Sequence, residues 1–198
     1  MQFIIASNNR DKIKEIQRIL RVRQNNAIPY TELIEKKHFP PEGNRSYTEN
    51  ASEKALFISK FLPEELVIAD DSGLSLKAQP GILGVRTARD LANYPTAHEY
   101  AQHIIQLVQG RDRSFKMTTV LTCAYQGRIL KTVPGILEGE IARTERGTAG
   151  EGFSRILIPE NSTKTLAQMA FNEAYPYLTR AQAAEGLDRF LKKKGNQG

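Results

Sequence analysis

The chain has 198 residues, 40% of them hydrophobic and 25% charged, a composition that excludes a fibrous or wholly disordered protein. No apolar run reaches the roughly 18 residues a membrane span needs, so no membrane partner is expected, and a single cysteine, Cys123, excludes an internal disulfide. The net charge of +6 attracts polyanions, but it is dispersed, and no basic run is interleaved with aromatics as a single-strand-binding surface requires; no stable nucleic-acid partner is expected.

Phe3–Ala6 reads as a buried strand rather than a secretory leader, which with the lone cysteine suits a cytoplasmic protein. Ser7-Asn8-Asn9 follows, then a helix with Ile13, Ile16, Ile19 and Leu20 on one face. Ala27–Tyr30 fits a short strand. Residues 36–48 are polar and rich in Pro and Gly, a loop long enough to be functional. A second helix carries Ala51, Ala55, Ile58 and Leu62, and Leu66–Ala69 forms a short apolar strand.

That strand ends in two carboxylates, Asp70 and Asp71, after which Ser72-Gly73 is expected to turn the chain. Two carboxylates at the mouth of a buried strand are costly unless something uses them. A Mg2+ ion carrying a phosphate chain is one use; an ordinary strand-to-turn boundary is the other reading. Residues 77–95 are turn-rich. Thr96 then caps a third helix with Glu99 as its reciprocal partner. Residues 114–141 read as two or three strands, Phe115–Tyr125, Ile129–Val133 and one near Glu140–Ala142, with Gln126-Gly127 as a hairpin turn. Cys123 lies inside the first of these as a small core residue. Gly147–Gly152 is a glycine-rich loop. A last helix from about Thr179 to Lys192 places Ala183, Ala184, Leu187, Phe190 and Leu191 inward, and residues 192–198 read as a solvated tail. Alternating strands and helices give the α/β class, with an antiparallel section in the second half.

The strand–Ser7-to-Lys12–helix arrangement is a phosphate-site layout, because N–H groups at a helix N-terminus carry partial positive charge. Ser7 and Asn9 can add side-chain donors and Lys12 can reach the same anion. Equally, Asn9 can be a simple helix cap and Lys12 a solvated charge. The loop has no glycine, so it is neither a P-loop nor a dinucleotide fingerprint.

Four segments read together sharpen this. Ala6–Glu15 resembles A-T-x-N-x-x-K-x-x-E, and Tyr47–Ala55 resembles F-x-E-N-A-x-x-K-A. Ala69–Leu74 matches A-D-D-S-G-L, and Gly84–Arg89 resembles P-G-x-Y-S-A-R with Leu83 at the proline. In this order they resemble the inosine triphosphate pyrophosphatase family, whose members remove deaminated purine nucleoside triphosphates from the nucleotide pool. The resemblance implies one domain over residues 1–198, an elongated mixed β-sheet flanked by helices, two lobes with a central cleft, and a homodimer. It implies Mg2+-dependent cleavage of a nucleoside triphosphate, such as inosine or xanthosine triphosphate, to monophosphate and pyrophosphate. By the same resemblance Ser7, Asn9, Lys12 and Lys54 hold the phosphate chain, and Asp71 is base and metal ligand. Glu42 is the second metal ligand, Asp70 supports the metal or its waters, and Ser72 touches substrate. A protein of the same fold that binds nucleotide without turnover is the alternative.

The second half departs from the family. Its G-G-F-G-Y-D-P-I-F loop corresponds to Gly150–Leu157, where Phe153 survives as a face for the base and the Tyr-Asp-Pro step is lost. Its K-x-x-x-S-H-R motif falls on Ala174–Arg180; the lysine becomes Ala174, the histidine Thr179, and only Arg180 is kept for the substrate. A pocket that reads a base by hydrogen bonds changes selectivity when they are removed, so a remodelled base pocket is expected, with Tyr175, Tyr177 and Arg155 as candidate readers.

Overall fold

A computed structural model describes residues 1–150 and 152–195. Strand β1 (Gln2–Ile5) is followed by helix α1 (Arg10–Val22), β2 (Asn26–Pro29) and α2 (Tyr47–Ser59). Strand β3 (Val67–Leu76), a single turn α3 (Thr87–Asp90) and α4 (Ala97–Leu107) come next. The chain closes with β4 (Ser114–Tyr125), β5 (Arg128–Ile141), β6 (Leu157–Pro159), a short α5 (Phe171–Ala174) and α6 (Thr179–Gly195). The strands form one mixed sheet in the order β2-β1-β3-β4-β5-β6, in which β1 runs parallel to both β2 and β3 while β5 and β6 are antiparallel.

The chain divides into two compact units. The first comprises Met1–Asp71, Thr119–Gly135 and Arg180–Gly198; the second comprises Ser72–Thr118 and Ile136–Thr179. In the first, Ile4, Ala6, Tyr30, Ala55, Ile58, Val67, Ala69 and Ala124 form a buried cluster. β1 is apolar throughout its inner three residues because a parallel central strand is covered on both faces. Asn9 starts α1 by accepting from the amides of Asp11 and Lys12, and Ile16, Ile19 and Leu20 become its buried stripe. Each of these contributes roughly 1.5–3 kcal/mol by leaving water. In the second unit a separate core gathers Leu74, Leu76, Leu83, Ile104, Phe115, Ile141, Ile156 and their neighbours. The Thr96–Glu99 capping box forms as the sequence indicates.

Two expectations are corrected, and one open alternative is decided. The chain does not turn at Ser72-Gly73: β3 runs unbroken through both aspartates to Leu76. Gly73 is needed there for closeness, since a Cβ would lie 2.0 Å from the Gly84 carbonyl oxygen. Residues 114–141 make two long strands, the pair rather than the trio that the sequence allowed, joined at the expected Gln126-Gly127 turn, both residues with positive φ as a tight hairpin requires. Pro134 is tolerated inside β5 because β6 pairs only with Gly139–Ile141 and leaves the strand edge open at the proline. Finally, α6 continues through Lys192–Lys194, with Lys192 paired to Asp188 at 2.9 Å; the rest of the expected tail, residues 196–198, lies outside the described residues. Cys123 is fully buried, and burial pushes its thiol up to about 12, as suits a core residue. Among the described residues no helix is long and apolar enough to cross a membrane.

Candidate active site

Because β3 continues through the acidic pair, successive side chains point to opposite faces of the strand. Asp70 and Asp71 are both buried, at 3% and 4% exposure, yet they meet different partners.

Asp70 faces α1 and α6. Arg180, in the first turn of α6, donates to its Oδ2 from Nε at 3.0 Å and from Nη2 at 2.9 Å. Lys12 Nζ lies 3.4 Å from the same oxygen. The third guanidinium nitrogen of Arg180 donates to Glu15 Oε2 at 2.7 Å. Burial acts to raise the Asp70 carboxyl, but Arg180, Lys12 and Lys54 outweigh it and hold the group well below the usual carboxylate range. Burial also pulls the Lys12 ammonium down, with Asp70 resisting.

Asp71 faces α2. Asn50 donates to its Oδ2 at 2.9 Å, and Lys54 Nζ lies 3.7 Å from its Oδ1. Lys54, one helical turn beyond Asn50, also donates to Glu42 Oε1 at 2.9 Å. Burial raises the Asp71 carboxyl against the pull of Lys54 and the Asn50 amide, and Glu42 adds to the rise. Adjacent residues in sequence are thus pushed in opposite directions, which is how a fold separates a fixed charge from a group able to take a proton. Asn50 also accepts from the Gly43 amide at 2.9 Å and so fixes the turn that carries Glu42.

At the N-terminal loop, Ser7 Oγ accepts from the Asn9 amide at 3.1 Å, and Asn9 Oδ1 accepts from the amides of Asp11 and Lys12 at 3.0 and 3.1 Å. Asn9 is therefore a helix cap, and capping itself shapes the loop and leaves the side of the helix end that bears Lys12 beside Asp70. Glu15, Asn50 and Arg180 complete the charge network; of these only Arg180 was a candidate from sequence. The spacing of Glu15 one turn after Lys12, and of Asn50 one turn before Lys54, is the signal that was there to read.

Ser72 follows on β3 and belongs, with Phe153, to the second unit. Phe153 lies in a 3-10 turn over Gly152–Arg155, half-buried, its ring edge-on to Tyr100 at 5.2 Å. Glu145 beside this turn accepts from Gln102 at 3.0 Å and lies 3.7 Å from Arg155. Ala174 and Thr179, which replace the lysine and histidine, are buried. Tyr175 packs against Phe171 at 5.7 Å, and its hydroxyl is buried with no hydrogen-bond partner among the described residues. Thr87 of the Gly84–Arg89 segment accepts from the Leu74 amide at 2.9 Å and donates to the Gly84 carbonyl at 2.6 Å, fastening that segment to β3.

Two adjacent buried carboxylates shifted in opposite directions, with Lys12 and Lys54 beside them, make this the candidate site. Residues 3–190 match the Ham1 family, and the chain belongs to it, in agreement with the resemblance carried by the four motifs. The chain is 45% identical over 185 residues to the dihydroneopterin triphosphate diphosphatase of Limosilactobacillus reuteri (strain DSM 20016), covering 93% of this chain and 95% of that one. It is 32% identical over 197 residues to the dITP/XTP pyrophosphatase of Bacillus subtilis (strain 168), covering 96% of each. Among solved structures it is similar to the Staphylococcus aureus Ham1 protein, with a TM-score of 0.82 and 28% identity over 98% of this chain and 100% of that one. A HAM1 protein from Coxiella burnetii gives the same TM-score at 29% identity, covering 98% and 99%.

Proposed function

We propose that the protein is a Mg2+-dependent pyrophosphohydrolase that cleaves a heterocycle-bearing triphosphate between the α- and β-phosphates, and that dihydroneopterin triphosphate is its preferred substrate. The observation that carries the activity is the opposed placement of Asp70 and Asp71 among Lys12, Lys54, Glu42 and Arg180.

Asp71 is the base. Its raised carboxyl, oriented by Asn50, takes a proton from the attacking water. The water oxygen bonds to the α-phosphorus, the bond from that phosphorus to the bridging oxygen breaks, and pyrophosphate departs with that oxygen. Lys12 and Lys54 bind the phosphate oxygens and offset the charge of the chain beside the positive end of α1, with Ser7, Asn9 and Ser72 shaping the contact surface. Asp70 stays ionised and holds Lys12 in place, while Arg180 carries most of the Asp70 charge so that Lys12 remains available to phosphate. Glu42 and Asp71 are the metal ligands. Both carboxylates lie beside Lys54, at 2.9 and 3.7 Å from its Nζ, and their all-oxygen donor set would suit a hard cation. Mg2+ is an ion held by one or two carboxylates plus substrate phosphates and water. When bound, Mg2+ supplies Lewis-acid polarisation of the phosphate oxygens.

The head group is assigned to a pterin on two grounds. The Tyr-Asp-Pro step and the Lys and His that would read a purine are replaced, and the relative at 45% identity is named for dihydroneopterin triphosphate. Phe153 supplies an apolar face that suits a pteridine as well as a purine. Hydrolysis of dITP and XTP is the second reading, favoured by relatives near 30% identity that carry that name. The test is pyrophosphate release from dihydroneopterin triphosphate, dITP, XTP and GTP, with Mg2+ and with EDTA. The expected result is Mg2+-dependent release with the highest kcat/KM on the pterin. Higher kcat/KM on dITP or XTP overturns the head-group assignment, and release from none of them overturns the activity.

A further inference from the structure

We propose that the buried hydroxyl of Tyr30 is a positioning residue that holds the phosphate-binding loop and the Glu42-bearing loop in one register. The proposal rests on the reading above only for what these two loops bind.

Tyr30 has no exposed surface, sits just after β2, and contacts neither loop through its backbone alone. Its Oη donates to Asn8 Oδ1 at 2.8 Å and accepts from the Lys37 amide at 2.8 Å. Asn8 closes the triangle by donating from Nδ2 to the Lys37 carbonyl at 3.1 Å. One hydroxyl therefore satisfies a side chain in the Ser7–Asn9 loop and a backbone amide in the loop that leads to Glu42. The second loop is pinned twice more beyond Lys37. Phe39 packs edge-on against the Tyr30 ring at 5.8 Å and against Phe57 of α2 at 5.7 Å, and Gly43 is held by Asn50. Glu42 thus lies on a strap fastened at Lys37 and Phe39 on one side and at Gly43 on the other. The Gly43 fastening, Asn50, is the group that orients Asp71. Asn8 occupies the position that the A-T-x-N motif leaves open, so this link belongs to the chain's own sequence and not to the motif. A buried hydroxyl with both of its hydrogen bonds made is costly to remove, because two partners are left without a match.

Tyr30→Phe keeps the ring and its packing and removes the hydroxyl's bonds to Asn8 and Lys37, leaving only the direct bond from Asn8 Nδ2 to the Lys37 carbonyl. Asn8→Ala removes both the Tyr30 bond and that direct bond from the exposed side, where the core is untouched. The measurements are calorimetric binding of inorganic triphosphate with Mg2+, steady-state kinetics, the melting temperature, and amide NMR of the Asn9–Lys12 and Glu42–Gly43 segments. Each variant is expected to weaken inorganic triphosphate binding about tenfold, the scale of one buried hydrogen bond. KM should rise with kcat changed far less, and amide signals of both segments should move. The double variant should lose less than the sum of the two single losses, since both single variants break the Tyr30–Asn8 bond. A Tyr30→Phe protein that melts lower yet binds inorganic triphosphate as the wild type does, with amide shifts confined to Lys37, overturns the proposal, as does additive loss in the double variant. Wild-type protein that binds inorganic triphosphate and releases no pyrophosphate refutes the activity instead, and the binding comparison still decides the role of Tyr30.

Discussion

Removing the Arg180 guanidinium isolates the electrostatics of the site. In Arg180→Met the chain keeps its apolar stem, while Asp70 loses both of its short hydrogen bonds and keeps Lys12 at 3.4 Å and the more distant Lys54. The Asp70 side chain is 1% exposed, so solvent cannot replace what is lost. Breaking a buried ion pair from one side costs about 3–5 kcal/mol. At about 2–4 °C per kcal/mol for a chain of this size, the melting temperature should fall by about 6–20 °C. Glu15, 31% exposed, rehydrates and adds little. Asp70→Asn combined with Arg180→Met removes the stranded charge and should restore at least half of the loss, because a neutral buried pair has no desolvation debt. The pH dependence has a definite sign. In the wild type the folded carboxyl lies well below its unfolded value, so its stabilisation is complete above the unfolded pKa of about 3.9 and is lost only in strong acid. In Arg180→Met burial raises the folded carboxyl, so the variant's deficit is greatest near neutrality and shrinks as pH falls toward about 4. Urea unfolding at several pH values measures both. A deficit below about 1 kcal/mol, or one that grows in acid, or a double variant no more stable than Arg180→Met, would refute the account of Arg180 as the counter-ion of Asp70.

Asp71→Asn is expected to lower kcat by about 10²–10⁴ while leaving the melting temperature nearly unchanged, measured by pyrophosphate release and calorimetry. Because burial raises the Asp71 carboxyl, its NMR titration without Mg2+ should fall above the ordinary carboxylate value, and Asp71→Asn should lack it. Lys54→Met removes the largest pull that opposes this rise, so the metal-free Asp71 titration should move further up in pH; a titration that superimposes on the wild type would contradict that assignment. Gly73→Ala places a methyl 2.0 Å from the Gly84 carbonyl oxygen, a backbone clash that β3 cannot relieve by a rotamer change. It should cost about 1–3 kcal/mol or more in unfolding free energy, where an unaffected midpoint would show that the two segments are not so close.

That the candidate phosphate residues come together was legible because they lie in short local patterns. Ser7, Asn9 and Lys12 straddle a strand-to-helix junction, Asn50 and Lys54 share one helical turn, and Asp70-Asp71 are adjacent, so local backbone geometry alone brings each set together. Glu42 was the hardest of these to assign from sequence, because it sits in an irregular loop without periodicity; its place beside Lys54 depends on Asn50 binding Gly43. The expected turn at Ser72-Gly73 failed because Ser and Gly after a strand resemble a turn, while the real constraint on Gly73 comes from Gly84, a residue distant in sequence.

The sequence by itself therefore determined the chemistry: which carboxylates, lysines and amides are present, and that they belong to a triphosphate-cleaving family. Only the tertiary structure decided how that chemistry is divided. Strand alternation sends Asp70 to Arg180 and Lys12 and Asp71 to Asn50 and Lys54, and contacts spanning 110 residues, as between Asp70 and Arg180, hold one carboxyl well below the usual range while burial raises the other. Charge state follows from burial and neighbours in space, and no local reading of two adjacent aspartates contains that information.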